Sequence, residues 1–216
     1  MKNKLTRNLL VAGCFLLAFV LWTIAITHID VKPIGPNGSS VGFATINGYF
    51  HALTGVHMTI YHITDWLGLV PVAFCFGFAA LGLMQWIRRK YILQVDSSIL
   101  ILGGFYIVTF AAYILFEEFV INYRPVLIEG FLEASYPSST TLLVMCVMPT
   151  AMLQLRGRIK NNFLKKSTLL LISGFIAFMV IGRLISGVHW LSDIIGGGLL
   201  SGSLVMLYYA LTNHKQ

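Results

Sequence analysis

Six stretches of this chain are apolar enough to cross a hydrocarbon core: about Asn8 to Thr27, Trp66 to Ile87, Ser97 to Phe116, Ala134 to Leu155, Ser167 to Gly182 and Ile194 to Asn213. Crossing takes about 20 helical residues. A bilayer offers no water to backbone N–H and C=O groups, so each crossing must satisfy them internally. The sequence therefore predicts an all-α protein, a six-helix transmembrane bundle forming one domain over residues 1–216. Composition agrees, with 57% of residues hydrophobic and only 11% charged, against about 25% charged in soluble domains. The fifth stretch is short unless its helix runs on past Arg183. The first follows Lys2, Lys4 and Arg7 as a signal peptide would, but it is too long and no small-residue cleavage site follows it.

Lys and Arg are retained on the cytoplasmic side of membrane proteins. The amino-terminal tail (Lys2, Lys4, Arg7), the second loop (Arg88, Arg89, Lys90), the fourth loop (Arg156, Arg158, Lys160, Lys165, Lys166) and Lys215 share one side, leaving only Lys32, Arg124 and Arg183 on the other. Both termini are thus expected in the cytoplasm of a multi-pass protein of the bacterial plasma membrane. The net charge of +7 is accounted for by orientation and by anionic headgroups, with no nucleic-acid partner required. Cys14, Cys75 and Cys146 all fall within the apolar stretches, so neither a disulfide nor a metal-binding spacing is expected.

The outer side collects polar groups. Its first loop opens with turn chemistry, "DVKPIGPNGSS", and continues as "VGFATINGYFHALTG", which reads as an amphipathic segment lying at the membrane surface. Beyond it stand Arg124 before Pro125, the hydroxyl run Ser138 to Thr141 after Pro137, and Arg183 with His189 and Asp193. Each has a plain reading alone: a snorkelling Arg, a helix start, an interfacial His–Asp pair. Together they gather costly ionisable groups at the outer ends of helices 4 to 6, which points to a site.

In order and spacing, "RP", "PSS" and "GRLISGVHWLSD" resemble the three motifs of the type 2 phosphatidic acid phosphatase family, KxxxxxxRP, PSGH and SRxxxxxHxxxD. The third motif differs only in Gly182 for Ser. The first keeps Arg124 and Pro125 but has Glu117 in place of Lys. The second keeps Pro137 and Ser138, with Ser139 for Gly and Thr140 for His. The resemblance covers essentially the whole chain. It implies a lipid phosphate phosphatase in which His189 attacks phosphorus and Asp193 holds the other ring nitrogen. Arg124 and Arg183 would grip phosphate oxygens, and the helix start at Ser138, Ser139 and Thr140 would cradle them. It implies neither a cofactor nor a metal.

Thr140 cannot deliver a proton to a leaving group as the family's His does, and three readings follow. A phosphatase would work without that acid most easily on a lipid diphosphate, such as a polyprenyl diphosphate, whose leaving group is itself a phosphate. Another group, among His51, His57, His62 and Glu117, would supply the proton. Alternatively, the chain is a non-catalytic relative that binds phosphorylated lipids. Retention of both the nucleophile and its orienting acid favours hydrolysis.

Overall fold

The computed structural model describes residues 2–213. The helices are α1 (Lys2–His28), α2 (Ala44–Thr54), α3 (Met58–Leu67), α4 (Leu69–Arg89), α5 (Ser97–Glu118), α6 (Ser139–Arg158), α7 (Asn162–Ile185) and α8 (Leu191–Asn213). Among the described residues, extended pairing is confined to isolated bridges, Lys32 with Val41, Tyr123 with Ala134 and Ile128 with Phe131. The expected all-α class holds.

Among the described residues, five helical stretches are long and apolar enough to cross a membrane: Lys4–His28, Met58–Arg89, Ser97–Glu118, Asn162–Ile185 and Leu191–Thr212. The expected fourth span is not among them. Its helix, α6, begins at Ser139, and residues from Thr140 to Gln154 are buried along it, including Thr141, Val144, Val147 and Thr150. It packs against α4, α5, α7 and α8. Apolarity is demanded only of faces that touch lipid, so an enclosed helix can carry hydroxyl groups and Pro149. The outer helices show the opposite pattern: Leu170 and Leu171 on α7 are each 74% exposed.

Other boundaries shift for local reasons. The second span reaches back to Met58, because α3 runs into α4 through Gly68 with only a slight break. The fifth is not short, since α7 continues through Arg183 to Ile185. The segment expected at the membrane surface forms α2, whose Tyr49 and Leu53 are exposed while Asn47 is buried. Asn47 ties α2 to the start of α8: its Nδ2 donates to Ser192 Oγ (2.9 Å), and Ser192 N donates to its Oδ1 (3.1 Å).

α8 fits closely between α1 and α6 because small residues line it. A Cβ at Gly196 would fall 2.4 Å from the Tyr136 ring, and Ser203 Oγ donates to Ala12 O on α1 at 2.9 Å. At one end of the bundle, Asp96 links two loops by pairing with Arg89 (3.0 Å) and Arg158 (3.7 Å). The other end holds the α2–α3 turn, the loop from Phe119 to Ser138 and the α7–α8 turn.

The α7–α8 turn is wedged against the α2–α3 turn. His57 N donates to Ser186 O at 2.9 Å, and Gly187 has φ of +68°, where a Cβ would lie 1.9 Å from Gly55 O. Both the conformation and the contact exclude a side chain. Gly187→Ala is expected to destabilise the protein by about 2 kcal/mol or more, read as a lowered melting temperature of the detergent-solubilised protein. An unchanged melting temperature would contradict the packing of these turns.

Candidate active site

Two arginines form the centre of the site. Arg183, near the end of α7, is only 1% exposed. Its Nη2 donates to Thr140 Oγ1 at 2.6 Å and pairs with Asp65 Oδ1 at 3.1 Å. Its Nη1 reaches Thr64 Oγ1 at 3.3 Å and Tyr61 O at 3.4 Å. Arg124 is carried by the loop after α5. Its Nε meets Glu133 Oε2 at 3.2 Å and Ala134 O at 3.3 Å. Both guanidinium groups lie over the Tyr61 ring, with Cζ at 4.9 Å for Arg183 and 5.8 Å for Arg124. Two like charges so placed are held by the ring's negative face and by the carboxylates around them.

Backbone pairing fixes the loop that presents Arg124. Arg124 N donates to Glu133 O (3.0 Å), Ser135 N to Asn122 O (2.9 Å) and Ser138 N to Asp193 O (3.1 Å). Trp190 Nε1 closes the loop onto the α8 start by donating to Tyr123 O at 2.8 Å. Ser138, fully buried, caps α6, its Oγ accepting from Thr141 N at 3.5 Å.

His189 sits in the turn just before α8 and Asp193 in the first turn of that helix, both buried. They do not bond directly: His189 Nδ1 is 3.9 Å from Asp193 Oδ2. Ser135 stands between them, its Oγ 3.1 Å from His189 Nδ1 and donating to Asp193 Oδ2 at 2.5 Å. The carboxylate also accepts from Trp190 N at 2.9 Å, capping α8. That capping duty draws Asp193 toward the helix start and leaves the serine to make the connection. Burial and the nearby charges of Arg124 and Arg183 hold the His189 imidazole well below the ordinary histidine value of 6.5, so it stays neutral at neutral pH.

A cavity of about 560 Å³ opens beside the arginines, lined by Tyr61, Asp65, Tyr113, Glu117, Arg124, Glu133, Ser139, Thr140 and Arg183, among others. Buried side-chain atoms without a partner at this end include Arg124 Nη1, Arg183 Nε and His189 Nε2. Such atoms are costly to bury unless something meets them. His189, 3% exposed, is not among the residues lining the cavity.

Arg124, Ser138, Ser139, Thr140, Arg183, His189 and Asp193 are thus brought to one end of the bundle, as expected. Of the alternative proton donors, only Glu117 lines the cavity. The His51 ring packs at a tilt on Trp190, centroids 5.4 Å apart, while His57 and His62 are exposed, His62 against the Tyr61 ring at 5.2 Å. Sequence reading missed Ser135, Tyr61 and the pairing roles of Asp65 and Glu133. Ser135 lies three residues before Ser138 and was legible as a neighbour of the motif, whereas Tyr61 and Asp65 come from a distant helix with no local signal. The cysteines are free, and no cluster of His, Cys, Asp and Glu suited to a metal occurs among the described residues.

A bundle of membrane-crossing helices that presents an Arg pair and a buried, neutral His at one end has donors of the kind that suit phosphate oxygens. The chain matches the PAP2 superfamily model over residues 103–216, from α5 to the carboxyl end, and belongs to that family. It is similar in fold to the solved structure described as the first transmembrane PAP2-type phosphatidylglycerolphosphate phosphatase from Bacillus subtilis. The two share 17% identity over 95% of this chain and 96% of that chain, with a TM-score of 0.54. No curated protein sequence matches it significantly.

Ser135→Ala would sever the one bridge between His189 Nδ1 and Asp193. A hydrogen bond to a charged group is worth about 1.5–3 kcal/mol, so turnover of a phosphorylated lipid should fall roughly tenfold to a hundredfold with KM little changed. Undiminished kcat would show that His189 is held without the serine.

Proposed function

We propose that the protein is a membrane lipid phosphatase that removes a headgroup phosphate through a phosphohistidine intermediate. The observation that carries this reading is the trio of buried, unpartnered atoms, Arg124 Nη1, Arg183 Nε and His189 Nε2. Two are donors suited to phosphate oxygens, and the third is a nucleophile already unprotonated.

Phosphate entering the cavity meets the Arg forks, with backbone N–H groups and the positive end of the α6 dipole at Ser138, Ser139 and Thr140 behind them. His189 Nε2 then forms a bond to phosphorus as the P–O bond to the lipid breaks. The charge gathering on the phosphoryl oxygens is met by the guanidinium groups. Ser135 relays the hold of Asp193 on Nδ1, fixing the tautomer. Water next attacks phosphorus, the P–N bond breaks, and phosphate leaves with the imidazole neutral again.

Thr140 does not protonate the leaving oxygen; its hydroxyl accepts from Arg183 and steadies that side chain. Glu117, the one candidate donor that lines the cavity, stands there as a carboxylate, so water protonates the leaving oxygen. Asp65, Glu117 and Glu133 all face the cavity, and at ~5 Å with an effective dielectric near 20 each opposes an added negative charge by roughly 3 kcal/mol. This weighs against a polyprenyl diphosphate, which carries more charge than a monoester or diester. A non-catalytic binder would have no use for a buried, neutral imidazole oriented through Ser135.

In this reading α6 is the sixth span, enclosed by the others within one domain. The site end faces outward, and both termini with the Asp96 end face the cytoplasm of a bacterial plasma membrane. Labels at Gly38 and Gly130 should react from outside the cell and labels at Arg158 should not; the reverse would put the site in the cytoplasm.

The test of the chemistry is phosphate release from a panel of lipid phosphates, including phosphatidylglycerol phosphate, by the purified protein. His189→Ala should lose turnover by at least about 10⁴-fold while still binding lipid. In the wild type the acid limb of kcat/KM should lie below pH 6.5, because that is where a depressed histidine becomes protonated. Full activity in His189→Ala, or a rate already falling as pH drops to the ordinary histidine value, would place the nucleophile elsewhere.

A further inference from the structure

The opposite end of the bundle holds a second cavity, of about 550 Å³, between the start of α5 and the ends of α6 and α8. Its floor is polar and ordered. Gln154 and Tyr208 are only 7% and 2% exposed. Gln154 Nε2 donates to Tyr208 Oη at 2.5 Å, and that hydroxyl donates to Ser98 O at 3.4 Å. The remaining acceptor of Gln154, Oε1, takes Arg158 Nη2 at 2.9 Å and so holds that guanidinium group on the cavity wall.

Charge decides what such a hollow would receive. Among the described residues that line it, Asp96 is the one acid. Its carboxylate is already met by Arg89 at 3.0 Å and by Gln85 Nε2 at 2.8 Å, with Arg158 Nη1 farther off at 3.7 Å. Arg156 also lines the cavity, is exposed, and makes no hydrogen bond or ion pair among the described residues. The carbonyl end of α6 suits cations, which accounts for two arginines in its last turn. It does not account for a polar hollow between them and α8. With Asp96 answered by Arg89, Arg156 and Arg158 leave the wall with a surplus of positive charge and with donor forks that match phosphate oxygens.

We infer that this cavity is a second binding site, for a phosphate-bearing anion gripped by Arg156 and Arg158, apart from the cavity beside Arg124 and Arg183. The inference goes beyond the phosphatase reading and needs no turnover. Two sources carry the chemistry: the phosphodiester headgroup of an anionic lipid in the adjoining leaflet, and free phosphate. Basic hollows between membrane helices suit anionic headgroups, and Leu207 and Leu211, exposed on the helix that carries Tyr208, give lipid chains an apolar surface beside the opening. Free phosphate would use the guanidinium groups alone.

The probes are dioleoylphosphatidylglycerol, with zwitterionic dioleoylphosphatidylcholine as its control, and inorganic phosphate, with sodium chloride at matched ionic strength as its control. Each is titrated into the purified full chain in neutral detergent, and the rise in melting temperature is followed. At least one probe should raise it beyond its control: the lipid alone identifies a headgroup site, and phosphate identifies a site for the free anion. In Arg156→Gln the concentration giving half the rise should increase at least about tenfold, while Arg156→Lys, which keeps the charge, should recover part of the loss. Arg156 is exposed and unpaired, so both variants should melt near the wild type before any probe is added. Because the measurement involves no hydrolysis, failure of the phosphatase reading leaves its result untouched. No rise beyond the controls with either probe, or the same titration in Arg156→Gln as in the wild type, would overturn the inference.

Discussion

A guanidinium group sealed inside a membrane bundle dictates much of this structure. Arg183 is almost wholly buried, and a charge there survives only if the surrounding helices answer its donors. The answers come from Tyr61, Thr64 and Asp65 on α3 and from Thr140 on α6. α3 must therefore run alongside α7, and the first turn of α6 must meet both. Gly182, where a Cβ would fall 2.8 Å from the Thr64 methyl, permits that approach one residue before the arginine. Thr140, one of the hydroxyl residues that keep α6 from looking like a lipid-facing span, also helps to make the buried charge tolerable.

The second constraint is that His189 be neutral, which follows in part from the first. Burial, and then the charges of Arg124 and Arg183, depress the imidazole's proton affinity, so in the proposed mechanism the groups that would bind phosphate would also prepare the histidine to attack it. Ser135 adds orientation. Because Asp193 is committed to Trp190 N at the start of α8, a hydroxyl must carry its influence to the ring. The site is built from loop and helix-end backbone as much as from side chains. The turn bearing His189 and the loop bearing Arg124 are pinned by the Trp190–Tyr123 bond and by the contact of Gly187 with Gly55.

How far sequence reached depends on whether a feature is local. Apolar runs declared the all-α class, and the motifs marked Arg124, Ser138, Arg183, His189 and Asp193 because their spacing is local to helix ends. The fourth span was misplaced at its start, since Ala134 to Ser138 are apolar or small enough to read as helix. In fact they are extended, with Ser135 and Ser138 drawn into bonds to Asn122 and Asp193. Tyr61 and Asp65 were illegible as site residues: their role comes from the packing of α3 on α7, more than a hundred residues away in sequence, as the 118-residue separation of Asp65 and Arg183 shows. The hold of Asp193 on the His189 ring that the resemblance implied runs through Ser135 rather than directly, because His189 precedes α8 and so does not share a helical face with Asp193.

The two departures from the family's motifs have connected consequences when placed in space. Thr140 stands where the family has a proton-donating His, and it spends its hydroxyl on Arg183. That turns a catalytic position into a positioning one. Glu117 stands where a Lys would add positive charge, and it instead faces the same cavity as the arginines it would have reinforced. The first change removes a group that would help a poor leaving group depart; the second puts a carboxylate where the family has a cation, beside two arginines already paired with Glu133 and Asp65. Both departures fall on the rim of one cavity, so it is the electrostatics around the arginines, more than the third motif, that set this site apart from the family's pattern.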